Sequence, residues 1–173
     1  MTAGKIWQRS WGMKSKEEEK LYPEITEWLQ NYLTDKYKGY TIQTTYETSR
    51  RNLDVVLKSK GIDCEKALGL HIKVDIVGIL KRGNNFKIVF VEVKNTELTL
   101  KDLGQLWGYT QLIDPIESFL ISSKGLGELS HLFNVLKRED LLKFGIKTNK
   151  FMQIAKWDKR RKSIDYASLT PKT

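Results

Sequence analysis

The stretch that decides the fold runs from Leu70 to Asn95 and reads LHIKVDIVGILKRGNNFKIVFVEVKN. Two runs within it, His71 to Leu80 and Phe86 to Lys94, are rich in the β-branched and aromatic residues that favour strands. Between them lies Lys81-Arg82-Gly83-Asn84-Asn85, whose composition is typical of a tight turn between antiparallel strands. The sequence therefore predicts a β-hairpin.

The register of this hairpin follows from its turn. A two-residue turn at Gly83-Asn84 makes its flanking residues face each other, and every later pair is then determined. Asp75 falls opposite Glu92, and facing side chains lie on one side of a sheet with Cβ atoms roughly 4.5–5.5 Å apart. Lys94 shares that face because side chains alternate along a strand. Two carboxylates and one amine are therefore expected within a small volume.

A hard divalent cation relieves the repulsion between two such carboxylates. Mg²⁺ prefers oxygen ligands, commonly one or two carboxylates with waters and phosphate oxygens, and Mn²⁺ accepts similar ligands. Held by Asp75 and Glu92, it could activate water and stabilise developing negative charge. Two roles are open for Lys94. A lowered pKa would let it orient or deprotonate the attacking water, whereas an ammonium would stabilise the phosphate.

The spacing of these residues resembles the signature of the PD-(D/E)XK nuclease superfamily. Val74-Asp75 is followed, after sixteen residues, by Glu92-Val93-Lys94. The resemblance implies a restriction-endonuclease-like fold, an α/β structure with a central mixed sheet flanked by helices. It further implies Mg²⁺ bound by Asp75, Glu92 and the Val93 carbonyl, and hydrolytic cleavage of nucleic acid. Val74 stands where the family name has proline, a position that is commonly relaxed.

Other matches to the family extend over roughly Ser15 to Ser123. Gln105 and Tyr109 lie four apart and hence on one helix face, and this Gln-x-x-x-Tyr pattern resembles the RecB-type branch. In that branch these residues support the site and the DNA. An acid from the first helix is also implied, for which Glu18 matches best and Glu17, Glu19 and Glu24 compete. The implied catalytic set is Asp75, Glu92, Lys94, Glu18, Gln105 and Tyr109.

The remaining elements complete an alternation of helices and strands. Helical spacing predicts one helix from Ser15 to near Gly39, with Pro23 marking either a kink or its true start, and others at Leu98–Ile113 and Leu129–Phe144. This order favours an α/β fold on a mixed sheet, and a length of 173 residues suits a single domain, here a nuclease domain over 1–173.

Further strands are predicted by β-rich composition. They are Tyr40–Thr48, Ile116–Ser122, and a closing hairpin of Phe151–Trp157 with Ser163–Ala167. The polar stretch from Arg50 to Glu65 fits either a strand or an ordered loop, and the sequence leaves that choice open.

Charge points to a polyanionic partner. Lys and Arg number 30 against 21 Asp and Glu, a formal charge of +9 with a pI near 9.5. Two basic clusters are candidate phosphate contacts, namely Arg50, Arg51, Lys159, Arg160, Arg161 and Lys162. Trp7, Trp11 and Trp157 either stack on bases or pack in the core. The partner expected is DNA, with RNA left open.

Several classes of site lack their parts in this sequence. Cys64 is the single cysteine, which excludes an intramolecular disulfide, a zinc site built from several cysteines and the four-cysteine iron–sulfur cluster found in some RecB-type members. There is no Gly-rich phosphate loop or Gly-x-Ser-x-Gly elbow. No segment approaches the roughly 20 apolar residues of a membrane span, so a cytoplasmic location is expected.

Three functions are therefore compared. The first is a Mg²⁺-dependent DNA endonuclease cutting duplex or branched DNA, in which a homodimer would place two sites across two strands. The second is a single-strand or end-directed nuclease of repair or defence. The third is a non-catalytic DNA-binding module, against which the complete Asp75, Glu92 and Lys94 set argues. A helper subunit, the recognition site and the cut pattern are not readable from the sequence.

Overall fold

A six-stranded mixed sheet lies at the centre of the molecule. The computed structural model describes residues 15–172 of the chain. The strands of the central sheet occur in the order β1-β2-β3-β4-β7-β8, and β5 pairs with β6 in a separate two-stranded sheet. The strands are β1 (Thr41–Thr45), β2 (Ile76–Arg82), β3 (Asn85–Lys94), β4 (Glu117–Ser122), β5 (Lys143–Phe144), β6 (Lys150–Phe151), β7 (Gln153–Asp158) and β8 (Ser163–Thr170). Strands β3, β4 and β7 are parallel and the outer pairings are antiparallel, which confirms the predicted α/β mixed sheet.

Helices cover both faces of this sheet. They are α1 (Lys16–Glu19), α2 (Tyr22–Lys36), α3 (Leu53–Ser59), α4 (Leu100–Ile113) and α5 (Glu128–Asn134), with 3₁₀ turns at Glu47–Ser49, Glu65–Ala67 and Glu139–Leu142. Buried residues of α2, including Ile25 and Leu29, pack on one face of the sheet. Buried residues of α3, α4 and α5 pack on the other. The result is a three-layer arrangement.

The central hairpin has the predicted register. Arg82 faces Asn85 and Val77 faces Phe90, and Gly83 occupies the left-handed region at φ 60° that the primed turn requires. Because β3 is the third strand of six, its residues 88–93 are buried on both faces. The face of Val89 and Val91 lies under α2.

The first strand of this hairpin is shorter than predicted. It begins at Ile76, so the prediction of a strand from His71 is wrong for the residues before position 76. The Ile72 carbonyl instead accepts a hydrogen bond of 2.8 Å from the Leu53 N–H at the start of α3. A backbone group used by a helix elsewhere in the chain cannot serve the sheet ladder.

The first predicted helix divides in two. The Ser15 hydroxyl caps α1 by accepting from the Glu18 N–H at 3.1 Å, and the chain turns before α2 begins with Pro23 in its first turn. A proline there loses no helical hydrogen bond, since the first backbone donors of a helix are unpaired within it. Pro23 therefore marks the true start of the longer helix.

The helix predicted over Leu129–Phe144 is wrong beyond Asn134. Lys137 has φ 57°, which ends a right-handed helix, and Phe144 pairs with Lys150 in the small sheet. The closing hairpin of β7 and β8 is confirmed and extends to Thr170. The stretch from Arg50 to Glu65 contains the helix α3, so the two alternatives considered from the sequence, a strand or an ordered loop, are wrong for Leu53–Ser59.

Among residues 15–172, no helix combines the length and the apolarity needed to cross a membrane.

Gly78 allows α2 to approach the sheet closely, and its replacement tests that contact. A Cβ at Gly78 would lie 2.7 Å from Leu33 Cδ1 and 3.4 Å from Leu29 Cδ2, and both leucines are fully buried. We expect Gly78→Ala to lower the free energy of unfolding by about 1 kcal/mol, because a close-packed core accommodates overpacking poorly.

Gly104→Ala is the matched control for this measurement by urea denaturation. A Cβ at Gly104 in α4 meets no atom within 4 Å, so the same substitution should stabilise by up to about 1 kcal/mol through helix propensity. A shift of the same sign in both variants would contradict this account of Gly78.

Candidate active site

Asp75 lies at the centre of the candidate site, immediately before β2. Its side chain is fully buried, and both of its oxygens accept hydrogen bonds. Oδ2 accepts from the Val93 N–H at 2.7 Å, and Oδ1 accepts from the Tyr22 hydroxyl at 2.8 Å. Hydrogen bonds of this kind compensate for the loss of water around a buried carboxylate. The carboxylate thereby connects β2, β3 and α2.

Glu92 lies opposite Asp75 when the observed register is extended by one residue beyond Ile76 and Val91. It is 1% exposed and pairs across the parallel ladder with Leu120 of β4. Its Oε1 is 3.5 Å from Lys94 Nζ. Glu92 and Lys94 therefore meet where β3 ends, and Asp75 accepts from the N–H of Val93 between them at 2.7 Å.

Lys94 is surrounded by acidic groups. Burial alone would lower its pKa, but the carboxylates of Glu92, Glu18 and Asp102 outweigh burial and raise the pKa above its usual value. The Asp102 Oδ1 atom is 4.0 Å from Nζ. Of the two roles left open by the sequence, this environment favours the ammonium over a neutral base.

Glu18 is the acid of the first helix that faces this group. It is 7% exposed, and its Oε1 is 3.5 Å from the same Tyr22 hydroxyl that binds Asp75. Burial, followed by the nearby charges of Glu18 and Glu92, raises the pKa of Tyr22, so the phenol remains protonated and can donate. The competing acids have other partners: Lys20 for Glu17, Arg50 for Glu19 and Trp157 for Glu24.

Gln105 and Tyr109 both lie on α4. Gln105 is exposed, and the Tyr109 hydroxyl is 3.5 Å from the backbone carbonyl of His71. The part of α4 that approaches the site is its first turn, where Asp102 also accepts from the Thr99 N–H at 2.9 Å in a capping box. Supporting roles for Gln105 and Tyr109 stay predictions.

The predicted phosphate contacts fall in two exposed places. Arg50 and Arg51 follow the 3₁₀ turn after β1, near α1 and α2, and pair on the surface with Glu19 and Glu47. The basic turn 159–162 joins β7 to β8. The pKa of Glu17 is lowered mainly by Lys20 and further by Lys159, which places this turn near α1.

Trp157 packs in the core. It is 1% exposed, and its indole N–H donates to Glu24 Oε1 at 2.6 Å, so it is not available to stack on a base. Trp7 and Trp11 lie outside the described residues.

The donor chemistry fits a hard cation held by two carboxylates. Within residues 15–172, no group of three or more His, Cys, Asp or Glu side chains is placed to hold a metal ion. Mg²⁺ does not need such a cage, because it commonly uses one or two carboxylates and completes its shell with water and phosphate. The buried oxygens of Asp75 and Glu92 on neighbouring strands meet that requirement. A contribution from the Val93 carbonyl stays a prediction.

Two residues at the site were not found from the sequence. Tyr22 is four residues after Glu18, and the shared face of this pair in the single helix predicted from Ser15 was its available signal. Asp102 follows Thr99 by three residues, which is the spacing of a capping box, but its approach to Lys94 depends on how α4 packs.

Tyr22→Phe tests the hydrogen bond to Asp75. Removing the hydroxyl takes one hydrogen-bond donor from a fully buried carboxylate. We therefore expect the free energy of unfolding to fall by about 1–3 kcal/mol. Tyr109→Phe is the control, since its hydroxyl contact is 3.5 Å and exposed, and it should change stability by less than about 0.5 kcal/mol. Equal effects in denaturant titrations would contradict the importance assigned to Tyr22.

Comparisons with known proteins give no match: no family model matches the chain, and no curated protein or solved structure matches it. The resemblance to PD-(D/E)XK nucleases therefore rests on Asp75, Glu92, Val93 and Lys94 themselves. A function has to be inferred from the chemistry of these side chains.

Proposed function

We propose that this protein is a Mg²⁺-dependent deoxyribonuclease that hydrolyses phosphodiester bonds. The observation that carries the proposal is the burial of Asp75 and Glu92 at the same end of the β2–β3 hairpin, with the Lys94 amine 3.5 Å from Glu92. Structural carboxylates are rarely this deeply buried, because removing a charge from water is costly unless it is compensated. Clusters of buried ionisable groups of this kind are typical of functional sites.

A bound divalent cation would compensate these groups and supply the chemistry. Asp75 and Glu92 would hold the ion, and Mn²⁺ would serve in place of Mg²⁺. When bound, such an ion activates water and offsets the charge of a phosphate under attack.

The protein's own groups have separate tasks in this scheme. The Tyr22 hydroxyl and the Val93 N–H orient the Asp75 carboxylate from two directions. The Lys94 ammonium is positioned by Glu92 and Asp102 to stabilise negative charge on the phosphate. Glu18 adds a further carboxylate near the same hydroxyl, from which a water could be oriented.

DNA is the proposed substrate because the chain carries a net charge of +9 while its site is acidic. Arg50 and Arg51 on one side, and the turn 159–162 near α1 on another, supply cations for phosphates flanking the scissile bond. For cleavage of both strands of a duplex, two copies of the chain would act as a homodimer.

A single-strand or end-directed nuclease is the second candidate. The observation that favours it is a pocket beside Tyr22 whose size suits one nucleotide rather than a duplex. A non-catalytic DNA-binding module would have the same basic surface, and cleavage assays separate it from both nucleases.

Cleavage of supercoiled, linear, branched and single-stranded DNA, in Mg²⁺ or in EDTA, tests the proposal. We expect cutting with Mg²⁺ only, and a loss of at least about 100-fold in Asp75→Asn and Lys94→Ala, because each change removes an interaction with the reacting phosphate or its cation. The substrate that is cut fastest then distinguishes the two nuclease candidates.

The matched controls are Asp35→Asn and Lys38→Ala, which remove the same charges from an exposed pair at the far end of α2. Both should cut as the wild type does. Binding without cleavage of any substrate by folded wild-type protein would instead establish the non-catalytic module.

A further inference from the structure

A pocket of about 380 Å³ adjoins the candidate active site. Tyr22 is common to both, because its hydroxyl binds Asp75 while the residue also lines the pocket. Tyr46, Arg50 and Arg51 line the same pocket. Whatever occupies it therefore lies next to the tyrosine that binds Asp75.

Of the two tyrosines that line this pocket, Tyr22 is buried and Tyr46 is exposed. Tyr46 is 45% exposed, and its ring centroid lies 6.1 Å from that of the buried Tyr22, with the planes inclined at 48°. Almost half of Tyr46 therefore remains accessible to solvent. An accessible aromatic ring is a surface on which a base can stack.

Two guanidinium groups are available at the rim of the pocket. Arg50 is 3.3 Å from Glu19 with its side chain 78% exposed, and Arg51 is 3.1 Å from Glu47 with its side chain 48% exposed. Exposed ion pairs contribute little stability, so exchanging these carboxylates for a phosphate costs little. Planar guanidinium groups suit phosphate oxygens particularly well.

Backbone pairing and a hydrogen-bonded turn fix the position of Tyr46 relative to Asp75. Thr45, the last residue of β1, pairs with Val77, which is two residues after Asp75. The 3₁₀ turn that follows is closed by the Ser49 hydroxyl, which donates to the Tyr46 carbonyl at 2.7 Å, and Thr48 is fully buried. Tyr46 is therefore positioned by the same strand pair that leads to the site.

The size of the pocket limits its occupant. Pockets for small ligands run from about 300 to 1,000 Å³, and this one is at the lower end of that range. A base stacked and paired inside a duplex cannot enter such a space unless it is extruded, which costs a few kcal/mol, whereas an unpaired base enters without that penalty.

We propose that this pocket binds one unpaired nucleotide of DNA, with its base on Tyr46 and a flanking phosphate between Arg50 and Arg51. The inference rests on the proposed function in assigning that nucleotide a place next to the scissile bond. It identifies the preferred substrate as single-stranded DNA, a frayed end or an unpaired branch, in preference to continuous duplex.

Binding without metal tests the pocket separately from catalysis. The full chain is titrated in EDTA against a fluorescein-labelled oligonucleotide, used as a single strand and as a duplex with its complement, and anisotropy is recorded. Wild-type protein should bind the single strand more tightly. Tyr46→Ala should weaken single-strand binding roughly 10-fold while changing duplex binding much less, because it removes a stacking surface.

Two control variants make the result specific. Tyr46→Phe keeps the ring and should bind the single strand as the wild type does. Tyr166→Ala removes a tyrosine of β8 that is 59% exposed and lies outside the pocket, and it should leave both affinities unchanged. Circular dichroism of each variant confirms that the fold is intact.

The inference is overturned by a Tyr46→Ala variant that binds the single strand like wild type, or that loses single-strand and duplex binding equally. Wild-type protein that does not prefer the single strand also overturns it. If the protein passes this test but does not cleave DNA, the pocket assignment stands and the nuclease proposal is contradicted. If the protein cleaves DNA normally but fails this test, only the pocket assignment is contradicted.

Discussion

The rest of the site depends on how one buried carboxylate is held. Asp75 has no exposed surface, and it is fixed by the Val93 N–H on one oxygen and by the Tyr22 hydroxyl on the other. The first bond lies beyond the last pair of the β2–β3 ladder, Ile76 with Val91. The carboxylate thus accepts from a backbone donor just beyond the end of the β2–β3 ladder.

The second bond makes the site depend on a helix on the other side of the sheet. Tyr22 belongs to α2, whose buried residues pack against Val89 and Val91, whereas Glu92 shares its face with residues that pack under α3 and α4. Its hydroxyl reaches Asp75 at the end of the sheet. Gly78 of β2 leaves room for Leu29 and Leu33 of the same helix, so α2 packs directly on the strand that follows Asp75.

Acidic and basic groups are distributed unequally over the described chain. The buried acids Asp75, Glu92 and Glu18 collect at the end of the central strands, where a low dielectric strengthens every interaction with a cation. Many of the cations that give the chain its positive charge are exposed, including those of the turn 159–162. Such an arrangement suits a polyanion that is attracted over the whole surface and reacts at one acidic point.

The sequence by itself determined the hairpin, its register, the α/β class and the helix α4. A two-residue turn and a side-chain period of two leave a single pairing for Asp75 and Glu92, and these are local properties of the chain. Local patterns gave wrong predictions where a backbone group is paired with a residue outside the predicted element. The Ile72 carbonyl bonds to Leu53 instead of extending β2, and Phe144 pairs with Lys150 instead of continuing a helix.

Only the tertiary structure decided which groups surround the two carboxylates. Tyr22 is 53 residues from Asp75 in sequence, and no periodicity relates one to the other. The raised pKa of Lys94 depends on Glu18 and Asp102, which are contributed by helices on either side of β3 in the sequence. The pocket at Tyr46 likewise requires β1 to pair with β2. Contacts between elements distant in sequence arise from packing, which residue spacing along the chain does not encode.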